Sequence, residues 1–138
     1  MSEGYIKFNC LWEQKEFDLP IEIYTQLESA RTQLHNLGLI GMYPNGIGFG
    51  NISVRGNSKG SLIISGSATG GLTCLEKSDY AEVTNYNIGE NTISCCGLTK
   101  ASAESLTHAA IYEFLPQIGA VVHKFLLETQ IPFVPRCS

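Results

Sequence analysis

Positive charge is scarce in this sequence. Nine Lys and Arg residues stand against thirteen Asp and Glu, a formal net charge of −4, and the basic residues are scattered. A nucleic-acid partner needs a basic stripe to displace counterions, so nucleic acid is excluded as the main partner. Long apolar runs are missing too. Nothing approaches the roughly 20 consecutive apolar residues that cross a bilayer, so no membrane partner is expected. The first seven residues show no basic-then-apolar export pattern. Together these absences predict a cytoplasmic protein. Paired cysteine spacing is the third absence. Cys10, Cys74, Cys95, Cys96 and Cys137 form no C-x-x-C pair, and the adjacent Cys95 and Cys96 are poorly placed to bond each other. Reduced thiols serving as small apolar residues are expected, and a structural zinc site is not.

What is present is a globular composition. The chain has 138 residues, 43% of them hydrophobic and 16% charged, which suits one domain with a single core and excludes a disordered chain. Residues 5–12 read as a strand or arm. Residues 20–37 read as a helix, because Ile23, Leu27, Ala30, Leu34 and Leu37 recur at helical spacing. Asp18 is placed to cap its start, Pro20 suits its first turn, and Gly38 suits a left-handed C-cap. A glycine-rich stretch follows over residues 41–60, with a short strand inside it at 51–55. Residues 62–64 form another strand, and residues 65–71 a second glycine-rich loop. Residues 80–86 and 92–96 read as two strands joined by a hairpin turn at 87–91, around Gly89. Residues 102–114 read as a second helix ended by Pro116, and 118–123 as a short buried strand. The tail, residues 131–138, holds two prolines and is not expected to form a regular element. There is no internal repeat and no domain linker.

Three features carry chemistry. The loop Ser65-Gly66-Ser67-Ala68-Thr69-Gly70-Gly71 directly follows a strand. Its small residues let backbone N–H groups approach an anion and its hydroxyls add donors, although such loops also serve as plain turns. Glu104 and His108 lie four residues apart, on one face of the expected helix. They read as a general base with its partner, as metal ligands, or as a solvated helical pair in which Glu104 favours the helix start. His123 ends a strand, where α/β folds commonly build sites, or it is structural. His35 reads as a cation at the end of the first helix.

In their order along the chain, these pieces resemble the class II aldolase/adducin family. The residues that carry the resemblance are Leu37-Gly38-Leu39-Ile40, Gly50-Asn51-Ile52-Ser53-Val54-Arg55, Leu62-Ile63-Ile64-Ser65-Gly66, Asp79, Ser102-Ala103-Glu104 with His108, Ile111-Tyr112, and Ala120-Val121-Val122-His123. They run from about Leu27 to His123. The resemblance implies an α/β fold, a three-layer αβα domain with a central, mostly antiparallel sheet flanked by helices, usually assembled as a homo-oligomer. It implies an aldolase-type lyase acting on a small phosphorylated sugar, with zinc or another divalent metal as cofactor. By the same resemblance Asn51, Ser65, Gly66 and Ser102 hold the substrate phosphate. Glu104 is the acid/base carboxylate, and His123 is the first histidine of a His-x-His zinc pair.

The departures from the family pattern set up an alternative. Phe125 stands where the second zinc histidine belongs, and Ala103 where a second phosphate serine belongs. The family's third histidine comes from a later segment. The chain is therefore expected to be a domain incomplete at its C-terminal end, with an exposed edge that favours self-association. The alternative function is a non-catalytic binding or oligomerisation module that has lost the metal site, including one that still holds a phosphorylated metabolite.

Overall fold

In the computed structural model, residues 7–124 are described. In chain order the elements are β1 (Asn9–Glu13), α1 (Ile21–Asn36), β2 (Gly41–Met42), β3 (Gly48–Phe49), β4 (Asn51–Arg55), β5 (Leu62–Ser65), a 3₁₀ turn (Lys77–Asp79), β6 (Tyr80–Asn87), β7 (Thr92–Cys96), α2 (Ser105–Phe114) and β8 (Ala120–His123). Six strands form one sheet in the order β1-β7-β6-β5-β4-β8. The β1–β7 pair is parallel and the remaining pairs are antiparallel.

Alternation along the central strands decides the layering, because successive side chains leave a strand on opposite faces. Leu62 and Ile64 of β5 enter one core, with Val83, Ile93, Ala109 and Tyr112. Ile63 enters the other, with Leu19, Leu27, Ile52 and Tyr80. The first core lies under α2 and the second under α1, so the sheet is the middle of three layers. This is the α/β, mostly antiparallel arrangement that the resemblance implies. The unbroken apolar run Leu62-Ile63-Ile64 is what a strand covered on both faces requires, and burying each side chain contributes roughly 2 kcal/mol.

Several local expectations need correction. Asp18 does not cap α1. The capping position is Pro20, whose carbonyl accepts the Tyr24 N–H at 2.9 Å. Leu37, expected on the buried face, is 72% exposed. Gly38 does take the left-handed conformation (φ 78°). The hairpin turn between β6 and β7 is present, and within it Asn91 has positive φ. The glycine-rich stretch holds an extra two-stranded ribbon, β2 with β3. The strand at 118–123 begins at Ala120 and, among the described residues, is an edge strand with partial exposure rather than a buried one. The end of α2 is satisfied by Arg55, which donates to the Tyr112, Leu115, Pro116 and Ile118 carbonyls at 2.7–3.2 Å. Residues 1–6, Phe125, Cys137 and the tail at 131–138 lie outside the described residues.

Candidate active site

A cavity of about 930 Å³ opens where the loop bearing β2 and β3, the loop after β5, the turn before α2 and the end of β8 meet. Asn51, Gly66, Ser102, Glu104 and His123 all line it. These are five of the six candidate residues, drawn from four separate segments.

Sheet register brings Asn51 and His123 together. Asn51 opens β4 and lies opposite His123 of β8. The residue before Asn51 has to be glycine. Gly50 has φ +85°, and a Cβ there would meet the Leu39 carbonyl oxygen at 2.5 Å. The loop after β5 is pinned to the turn before α2. The Ser67 N–H donates to the Lys100 carbonyl at 2.7 Å, and Gly66 bridges Ala101. Within the loop the Thr69 hydroxyl donates to the Gly66 carbonyl at 2.8 Å. Its far end is held from behind by Arg31 of α1, which is fully buried and donates to the Thr69, Leu72 and Thr73 carbonyls at 2.9, 2.8 and 3.4 Å.

The turn before α2 fixes the remaining groups. Helix α2 begins at Ser105, so Glu104 is its capping residue rather than an interior one. The Glu104 N–H donates to Ser102 Oγ at 3.1 Å, which leaves the Ser102 hydroxyl proton for another acceptor. Glu104 Oε1 faces His123 Nδ1 at 3.6 Å, an ion-pair distance beyond hydrogen-bond range. That Nδ1 atom is shut off from solvent and has no hydrogen-bond partner among the described residues, although the ring itself is partly exposed.

A profile of the class II aldolase and adducin N-terminal domain matches residues 33–125. The chain belongs to this family. Among solved structures, an L-fuculose 1-phosphate aldolase superposes with a TM-score of 0.55 at 21% identity, covering 77% of this chain. At that identity the likeness is one of fold. The chain spans 45% of that aldolase's length. No curated protein sequence matches it.

Ser65 and the Glu104–His108 pair of this class II aldolase/adducin domain sit differently from the sequence reading. Ser65 does not line the cavity. It is buried, and its hydroxyl accepts the Ile52 N–H at 3.2 Å, joining β5 to β4. Glu104 and His108 do not act as a helical pair. Glu104 turns to the cavity and His123, while His108 points into the core with no exposure. Its Nδ1 is 2.7 Å from Ser53 Oγ, and its Nε2 meets Asn51 Oδ1. Burial, and secondarily His123, push its pKa down to about 4, so it is neutral at physiological pH.

For a divalent ion, His123 and Glu104 are the donors that converge. No group of three or more His, Cys, Asp or Glu gathers among the described residues, and His108 already has both nitrogens engaged. A catalytic zinc usually takes three protein ligands, so the described residues alone do not fit that ion. Ser53 and Tyr112 stand within the motifs that carry the resemblance but have no role in the sequence reading, and Arg31 is not singled out there. Signals for them existed: Ser53 is a polar residue between Ile52 and Val54 in a strand, Tyr112 is four residues after His108, and Arg31 is four residues after Leu27 on the apolar face.

Proposed function

We propose that this domain is an aldolase-type lyase acting on a small phosphorylated sugar. The observation that supports it most is the meeting, in one cavity, of an anion-compatible wall with a carboxylate–imidazole pair. Asn51, Gly66 and Ser102 line the wall. The Asn51 amide and the Ser102 hydroxyl offer neutral donors, while the Gly66 N–H is taken by the Asp79 carbonyl at 2.8 Å and its small size lets other N–H groups of the loop reach a phosphate. Glu104 lines the same cavity and is assigned the proton transfer. The name of the L-fuculose 1-phosphate aldolase that shares the fold points to the same substrate class.

The chemistry asked of Glu104 is limited and definite. In breaking a 1-phosphorylated ketose between C3 and C4, the C4 hydroxyl loses its proton and becomes an aldehyde. The C3–C4 electron pair moves toward the carbonyl at C2, and C3 then takes a proton to give dihydroxyacetone phosphate. Glu104 is the group proposed to exchange the proton at C3. No step is assigned to a metal ion, because the described residues offer it two donors. The test is solvent-deuterium exchange at C3 of dihydroxyacetone phosphate, run with and without added zinc, and Glu104→Gln is expected to slow it at least a hundredfold.

A further inference from the structure

The first polar groups behind the cavity wall form a chain with a direction. Asn51, Ser53, His108 and Tyr112 are 6%, 0%, 0% and 5% exposed. His108 Nε2 meets Asn51 Oδ1, His108 Nδ1 is 2.7 Å from Ser53 Oγ, and Ser53 Oγ is 2.7 Å from the Tyr112 hydroxyl. Each hydroxyl has one proton, and a neutral imidazole has one N–H and one acceptor nitrogen, so fixing one link fixes the rest.

The far end supplies that link. Among the described residues the Tyr112 hydroxyl has Ser53 Oγ as its hydrogen-bond partner, so its own proton has that oxygen as the acceptor. Ser53 then donates to His108 Nδ1, and the imidazole proton must sit on Nε2, where it donates to Asn51 Oδ1. In the reverse direction Ser53 would donate to Tyr112, and the phenolic proton would need another acceptor in a buried site. An unpaired buried donor is destabilising, which decides between the two.

We propose that His108, ordered by Ser53 and Tyr112, is a positioning residue that fixes the Asn51 side-chain amide so that its NH₂ group, and not its carbonyl, faces the cavity as a donor to a bound anion. The inference rests on the reading of this cavity as a phosphate site. A freely turning amide would present its oxygen to the phosphate about as readily as its nitrogen, and that orientation repels. The buried chain removes this alternative before the ligand arrives, which is the sense in which a site is preorganised. The residues come from β4 and α2, so the same contacts also fasten the helix to the sheet.

The test has two parts. In the wild-type protein, nitrogen-15 NMR of the imidazole reads the His108 tautomer directly at neutral pH. A proton on Nε2 is expected, and a proton on Nδ1 overturns the proposal whether or not the protein binds phosphate. The second part titrates inorganic phosphate into the wild type, Ser53→Ala and Ser53→Thr. Ser53→Ala should weaken binding on the order of tenfold by freeing the tautomer, as expected for losing one hydrogen bond to a charged group. Ser53→Thr, which keeps the hydroxyl, should restore it. Unchanged affinity in Ser53→Ala overturns the positioning role and leaves the phosphate site standing. No phosphate binding by the wild type would sink the phosphate site instead, and the tautomer measurement would still decide the direction of the chain.

Discussion

His108 shows how far a single residue's meaning depends on its surroundings. Four residues from Glu104, it reads from spacing as a ligand or a base. In the structure it is a buried neutral imidazole with hydrogen-bonding partners on both nitrogens. Burial depresses its pKa to about 4 from the ordinary value of 6.5. The unfolded chain therefore binds a proton between those values that the folded chain refuses, and stability rises with pH across the window. The contribution is complete above pH 6.5 and is lost as the pH falls toward 4, with a total on the order of 3 kcal/mol. Urea denaturation at pH 7 and pH 4.5 should show this loss, and His108→Gln should show a shallower dependence on pH. An equal slope in both proteins would remove His108 as the cause. At this scale the sequence is informative about which residues reach the cavity. It says little about direction, because a helical face spans both Glu104 and His108 until the helix start is known. Ser102 and Ser105 place that start, through Ser105 Oγ and N–H bonds to the Ser102 carbonyl at 2.7 and 3.1 Å.

Elements were legible where pattern and burial agree. Strands β4 and β7 fall on the residues expected, because alternation and β-branched residues coincide there. The ribbon of β2 and β3 was not legible, since two-residue strands leave no period to read. It exists through close backbone approach: a Cβ on Gly70 would meet the Gly41 carbonyl oxygen at 2.4 Å and the Phe49 nitrogen at 3.0 Å. The two loops that wall the cavity thus pack main chain against main chain. Arg31 holds the outer one. It is a charged residue at a core position of α1, satisfied by three loop carbonyls. Arg31→Met keeps the bulk and removes the donors, leaving buried carbonyls unpaired. Its expected cost is roughly 2–3 kcal/mol in urea denaturation, together with weaker phosphate binding. Full stability in that variant would mean that the loop does not depend on α1.

The whole molecule has the three-layer arrangement of its family, with the cavity at one end of the sheet where β4 and β8 meet. That much follows from the order of the motifs, since each is placed by the strand or turn that precedes it. Which surfaces meet a partner is not legible in the same way, because exposure depends on how elements pack. Among the described residues β8 is an edge strand with Val122 43% exposed, and Phe114 at the end of α2 is 72% exposed. An open edge beside apolar side chains favours pairing with another chain, and self-association is the proposed outcome. Sedimentation velocity over a rising concentration series should show larger species, and a concentration-independent monomer would contradict it.

The cavity is proposed to hold a phosphorylated sugar, with Glu104 moving a proton at carbon within it. The most direct measurement is solvent-deuterium incorporation at C3 of dihydroxyacetone phosphate, followed by proton NMR for the wild type and Glu104→Gln, with and without zinc. Exchange is expected in the wild type and should fall at least a hundredfold in the variant, while both proteins bind the ligand. Binding without exchange in the wild type under either condition would contradict that proposal and leave a domain that holds the metabolite without turning it over.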